Sequence, residues 1–258
     1  MLRLTTLVSA LALSAAAAMA EDIKVGVSPG EHAEIMEEVA KVAAPKGLNI
    51  EVIEFSDYVV PNQALNDGDL NANSFQHRPY LENQIKDRGF ELVEVGTTIT
   101  TPMGVYSDKL KSLDVLPEGG KVALPNDPTN GGRALLLLQD KGVIKLADGI
   151  GLTPTPLDVI ENAKNLKFLE LDAAQLPRAL QDADAAVINT NYALEAGLNP
   201  EKDAIAIEAA ESPYANIIVV RTADKDAPWA KTLVESYHSD AVKKYIQDKY
   251  TGAVIPAW

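Results

Sequence analysis

The period of apolar positions keeps switching along this chain. Residues 23–28 (IKVGVS) form a short apolar run that predicts a buried strand, and 31–44 then set Ile35, Val39 and Val42 at helical spacing. Pro45-Lys46-Gly47 ends that helix, and 49–55 (NIEVIEF) alternate apolar with polar, as a half-buried strand does. A short helix over 59–66, a strand over 70–75, a polar helix over 78–88 closed by Gly89, and strands over 90–95 and 104–107 complete the first series. The alternation restarts after Asp108. Strands are predicted at 121–124, 166–171, 185–188, 204–207 and 216–221. Helices are predicted at 133–141, 155–162, 175–181 and 192–196, with one or two more over 228–250.

Strands alternating with helices predict an α/β fold with mainly parallel sheets. Two series meeting near 107–117 predict two lobes: 21–107 with 222–258 in the first, and 108–221 in the second. Ligands of open α/β sheets bind at the carboxyl ends of the strands, so two lobes facing each other would enclose a cleft there.

Residues 1–20 follow another rule. Arg3 begins them, 7–18 carry no charge, and Ala18-Met19-Ala20 gives an A-x-A site before Glu21-Asp22. That order predicts a cleaved secretory signal. The apolar run is shorter than the roughly 20 residues of a membrane span. Cysteine is absent from the 258 residues, which removes disulfides, thiolate metal sites and a lipid-bearing thiol from consideration. The net charge is −14, and loss of 1–20 makes it one unit more negative; such a surface argues against nucleic acid as a partner.

Gly26-Val27-Ser28-Pro29-Gly30 fits the G-x-S-x-G pattern of a hydrolase nucleophile elbow between strand and helix. The N–H after the serine should stabilise an oxyanion there, and Pro29 has none. The segment reads better as a strand-to-helix turn, with no catalytic residue. The stretch from Asp67 opens like a calcium loop but has Ala72 and Arg78 where the loop needs Gly and Glu. His32, His77 and His238 lack the spacing of a metal site, and no cofactor motif is present.

Four segments carry binding chemistry. Phe75, His77 and Tyr80 cluster after a predicted strand in a chain only 5% aromatic, which suits an apolar, polarisable pocket wall. Residues 126–133 (NDPTNGGR) join strand to helix, where a helix N-terminus and Arg133 favour a carboxylate. Asn189-Thr190-Asn191-Tyr192 follows another strand, and Ser212-Pro213-Tyr214-Ala215-Asn216 precedes one. Amide side chains supply both donors and acceptors.

Together the strings SDYVVPNQALNDGDLNANSFQHRPYL, VALPNDPTNGGRALLLLQ, AAVINTNYA and SPYANIIVVR resemble the methionine-binding proteins of the NlpA lipoprotein family, in order along the whole mature chain. The resemblance implies a type 2 periplasmic-binding-protein fold with a hinged cleft and a monomer without enzymatic activity. It further implies L-methionine as ligand, and the permease and ATPase of a methionine ABC importer as partners. By matching positions it places Tyr58, Phe75, His77 and Tyr80 around the thioether. Arg133 falls on the carboxylate, and Asn126, Asn189 and Asn216 on the polar end. The chain departs from many members in lacking the cysteine that follows the signal, which implies a free periplasmic protein. It departs again at Thr100-Thr101, where relatives carry bulkier residues. The alternatives are the same fold with another amino acid or a methionine-containing dipeptide, and an exported esterase using Ser28.

Overall fold

The computed structural model describes residues 20–209 and 213–258; the signal expected at 1–20 lies outside them except for Ala20, and so does Ser212. The first series runs β1 (Glu21–Val27), α1 (Glu31–Ala43), β2 (Leu48–Glu54), α2 (Val60–Asp67), β3 (Ala72–His77), α3 (Arg78–Arg88) and β4 (Leu92–Thr97). A crossover containing β5 (Ile99–Thr100) leads to the second series. That series is β6 (Gly104–Tyr106), β7 (Lys121–Pro125), α4 (Pro128–Asp140), β8 (Lys145–Leu146), β9 (Val159–Glu161), β10 (Lys167–Leu171), α5 (Leu176–Ala179), β11 (Ala185–Ile188), α6 (Thr190–Glu195), α7 (Pro200–Asp203) and β12 (Ala206–Ile207). The chain returns through β13 (Asn216–Arg221) to α8 (Pro228–Tyr237), α9 (Asp240–Tyr250) and β14 (Ile255–Pro256).

Two five-stranded sheets result, ordered β2-β1-β3-β13-β4 and β10-β7-β11-β6-β12. The α/β expectation holds, with one change. β1 is parallel to β2 and β3, and β7 to β10 and β11, but β13 and β6 run antiparallel to their neighbours. Both antiparallel strands are the ones the chain enters on crossing between lobes, so each meets its new sheet from the opposite end. Sheet membership also moves the expected seams: β6 pairs within the second sheet and β13 within the first, which places 104–106 and 216–221 on the other side of the division.

Burial explains the elements. Val25 and Val27 of β1 are fully buried because that strand has neighbours on both edges and helices over its faces. Ile35, Met36, Val39 and Ala43 line the inner stripe of α1 against α8 and α9. Leu135, Leu137 and Leu138 of α4 fill the second core. Among the described residues no helix is long and apolar enough to cross a membrane.

Three helical expectations change. α4 begins at Pro128 rather than 133, because Asp127 caps it: Oδ1 accepts from the N–H of Thr129 at 3.2 Å and of Asn130 at 2.9 Å. Over 155–162 the Asp158 carboxylate accepts from the N–H and hydroxyl of Thr155, leaving one 3₁₀ turn at Pro156–Asp158; the β-branched Val159 and Ile160 then run out as β9. Over 175–181 only α5 forms, after a 3₁₀ turn at Ala173–Gln175. The terminal helix is two, divided where Ser239 caps α9.

Candidate functional site

The carboxyl ends of β1, β3, β7 and β11 converge on one cavity whose walls are largely buried side chains. The first lobe contributes His32 from the start of α1, Tyr58 from the loop after β2, Phe75 to His77 from the end of β3, and Tyr80 from the first turn of α3. The second contributes Asn130 and Arg133 of α4, and Asn189 and Asn191 at the start of α6. Asn216 and Thr101 complete the wall from β13 and the crossover.

One end is aromatic. Tyr58, Phe75 and Tyr80 form a triangle with centroids 5.9, 6.1 and 6.2 Å apart, the Tyr80 ring edge-on to both others. Such faces and edges suit a flexible, polarisable chain, a thioether among them. Tyr58 is held across the cleft: its hydroxyl donates to Asn191 Oδ1 at 2.5 Å, and its ring lies 5.0 Å from Tyr192. The Tyr192 hydroxyl donates back to the Ser56 carbonyl at 3.2 Å. The Tyr80 hydroxyl donates to the Tyr58 carbonyl at 2.8 Å.

The other end is polar. Arg133 is only 3% exposed. Its Nε donates to Glu208 at 3.0 and 3.2 Å, and its Nη2 to Glu208 Oε2 at 2.5 Å and to the Thr101 carbonyl at 3.0 Å. Its guanidinium lies 4.4 Å above the Tyr214 ring. Asn189 Nδ2 donates to Asn130 Oδ1 at 2.9 Å. Among the described residues, Asn189 Oδ1 and Asn191 Nδ2 are buried without a partner, one an acceptor and one a donor. Buried polar atoms left so are costly and point to a polar ligand.

Both cavity histidines are neutral. His77 Nδ1 accepts from the Tyr80 N–H at 3.1 Å, so the proton sits on Nε2, which donates to Asn130 Oδ1 at 3.2 Å. Burial, and then the charge of Arg133, pull the His77 pKa down to about 3. Burial alone pulls that of His32 down to about 4. Behind His32, burial pushes the Glu31 carboxyl up to about 8. The two lie 3.9 Å apart, yet between pH 4 and 8 both are uncharged, so they form no ion pair there.

Gln76 faces the cavity but is scaffold. It exchanges two hydrogen bonds with Asn62, at 2.6 and 2.8 Å, and donates to Asn73 Oδ1 at 2.9 Å. This buried amide network stiffens β3 beneath the aromatic wall. Asn73 lies within the stretch that opened like a calcium loop.

Of the eight expected site residues, the structure brings Tyr58, Phe75, His77, Tyr80, Arg133, Asn189 and Asn216 to the cavity. Asn126 is elsewhere: exposed in an outer depression, it donates to Asp172 at 2.9 Å. The early start of α4 accounts for this, since Asn126 then precedes the cap and Asn130, one turn on, faces inward. Asn216 donates to the Phe75 carbonyl at 3.1 Å, with its other contact, His32 Nε2, at 3.3 Å. Ser28 is 2% exposed and does not line the cavity, which removes the esterase alternative. Sequence reasoning missed His32, Asn130, Asn191 and Glu208 as site residues. Asn130 and Asn191 stood inside the quoted segments, but nothing in sequence marked Glu208.

The turn bearing Arg133 depends on Gly132. A Cβ there would meet the Leu152 carbonyl oxygen at 2.6 Å and Thr153 Cα at 2.8 Å, both backbone atoms that cannot swing away. Gly132→Ala should cost about 1–3 kcal/mol, lowering the melting temperature by several degrees in a thermal unfolding scan; an unchanged melting temperature would refute this packing.

A family model described as NlpA lipoprotein matches residues 23–258. The D-methionine-binding lipoprotein MetQ of Escherichia coli (strain K12) is 54% identical over 239 residues, spanning 92% of this chain and 88% of that one. A solved nutrient-binding protein from Burkholderia cenocepacia bound to methionine superimposes with a TM-score of 0.90 at 57% identity, covering 92% of this chain and all of the other. A solved methionine-binding protein, MetQ, gives 0.89 at 54% identity, over 92% and 98%.

Proposed function

The chain belongs to the NlpA lipoprotein family, and from that membership we propose that it captures methionine outside the cytoplasmic membrane and hands it to an ABC importer. It is a binding protein and performs no chemistry on its ligand. The observation that carries the reading is the division of one cavity into an aromatic end and an end bearing Arg133 and four asparagines. A thioether side chain suits the first, and an α-carboxylate and α-ammonium suit the second. In this reading Tyr58, Phe75, His77 and Tyr80 surround the side chain, Arg133 receives the carboxylate, and Asn189 and Asn216 with Asn130 hold the polar end. Asn126 has no part in it.

Capture proceeds by hinge closure. Residues from both lobes touch one ligand, so the ligand stabilises the closed arrangement relative to the open one. The importer's permease and ATPase read that arrangement. The 258 residues offer no thiol for a lipid, and we read the mature protein as free in the periplasm and monomeric.

Small molecules released by denaturing freshly purified protein should contain methionine, and calorimetry on stripped protein should give one site per chain. Both enantiomers belong in the titration. Heat with another amino acid or a methionine-containing dipeptide, and none with either methionine, would overturn the assignment of the ligand.

A further inference from the structure

Glu208 lies just past β12, in the return towards the first lobe, and no ligand role has been assigned to it above. Its carboxylate is 13% exposed and meets Arg133 through both Nε and Nη2. The backbone fixes it twice: Glu208 N–H donates to the Met103 carbonyl at 2.9 Å, and Oε2 accepts from the Met103 N–H at 3.2 Å. Nη2 donates also to the Thr101 carbonyl, and the guanidinium carbon lies over the Tyr214 ring. Among the described residues these contacts use Nε and Nη2, Nη1 carries no such bond, and Arg133 lines the cavity.

We propose that Glu208 is the positioning and specificity residue of this site: it aims Arg133 and cancels its charge, so that the cavity accepts a net-neutral zwitterion and rejects an anion of the same shape. The inference rests on the methionine reading above and adds the charge state that the site selects. The charges support it. The histidines on the wall are neutral at pH 7, and the remaining polar lining is amide or hydroxyl. A guanidinium alone in such a cavity would favour any carboxylate, because charge is weakly screened there. With Glu208 in place, a ligand carboxylate must bring its own ammonium, for which the unpartnered Asn189 Oδ1 is an acceptor.

The test compares L-methionine with its α-hydroxy analogue, which keeps the thioether and carboxylate but lacks the ammonium. Calorimetry on the wild type should show a clear preference for methionine. In Glu208→Gln that preference should shrink at least about tenfold, chiefly because the hydroxy acid gains, while Glu208→Asp, which keeps the charge, should retain it. Equal weakening of both ligands in Glu208→Gln would make Glu208 merely structural and overturn the proposal. A wild type that binds both ligands equally would overturn it with the methionine reading intact, whereas a wild type that binds neither overturns the methionine reading first. Should Glu208→Gln fail to fold, the wild type decides alone. Above the pKa of the ligand's ammonium, methionine affinity should fall about tenfold per pH unit while that of the hydroxy acid stays level; a level methionine profile would refute selection of the zwitterion.

Discussion

Arg133→Ala should raise the dissociation constant for methionine at least about thirtyfold, since losing a buried, charge-assisted hydrogen bond costs about 2–5 kcal/mol. The structure adds a second effect. Arg133 is also the counter-charge of Glu208, and its removal leaves a carboxylate, largely buried, with the Met103 N–H as its remaining hydrogen-bond donor among the described residues. An orphaned buried charge destabilises a fold by up to about 3–5 kcal/mol, less here because Glu208 keeps some contact with water. The variant should therefore melt several degrees below the wild type as well as lose its ligand. Arg133→Ala combined with Glu208→Gln separates the two effects: the melting temperature should recover while binding stays lost. Wild-type affinity in Arg133→Ala would remove this residue from the site.

The second large effect is on stability against pH. The folded forms of His32 and His77 have pKa values near 4 and 3, below the 6.5 of an unfolded histidine. Between those values the unfolded chain binds more protons, so stability falls as pH drops below 6.5, by up to about 1.4 kcal/mol per pH unit for each histidine. Glu31 has the opposite sign. Its folded pKa, about 8, lies above the usual 4.5 through burial, with the neighbouring Glu34 and Glu195 adding to it. The folded state then holds the extra proton, and stability falls as pH rises from 4.5 through about 8. Two rising contributions against one falling one give a net rise up to pH 6.5, and the glutamate alone gives a decline beyond it. The melting temperature should peak near pH 6.5, and each kcal/mol should be worth about 2–4 °C at this size. Glu31→Gln should flatten the alkaline limb and leave the acid limb in place. A melting temperature level from pH 4 to 8 would contradict the burial assigned to these three groups.

Much of this protein was legible in its sequence, though unevenly. β11 was readable to the residue, because Ala185–Ile188 is an apolar run buried on both faces. The aromatic wall was readable because aromatics are scarce and two of them, with an imidazole, fall near the end of one strand. What failed did so for local and long-range reasons. Periodicity could not see that the Asp158 side chain would fold back on Thr155 and end a helix at one turn. Nor could it see that Asp127 would start α4 early, a change of one turn that exchanges Asn126 for Asn130. The lobe seams moved because strand pairing joins residues far apart in sequence, β13 to β3 and β4. Glu208 illustrates the general limit: a solitary glutamate in an acidic chain carries no signal until the fold sets it against an arginine 75 residues away.

The last residues have a practical consequence. β14 pairs with β5 of the crossover, and the Ala257 N–H donates to the Thr98 carbonyl. The Trp258 indole stacks on His238 at 5.1 Å, and His238 Nε2 in turn sits 2.7 Å from the Thr97 carbonyl. Only one other tryptophan exists, Trp229, buried in the first core. One of the chain's two tryptophans is thus tied, by backbone pairing and by the His238 imidazole, to the segment that leads from the first lobe into the second. If the lobes close on the ligand as proposed, the emission of Trp258 should report that closure on unlabelled protein.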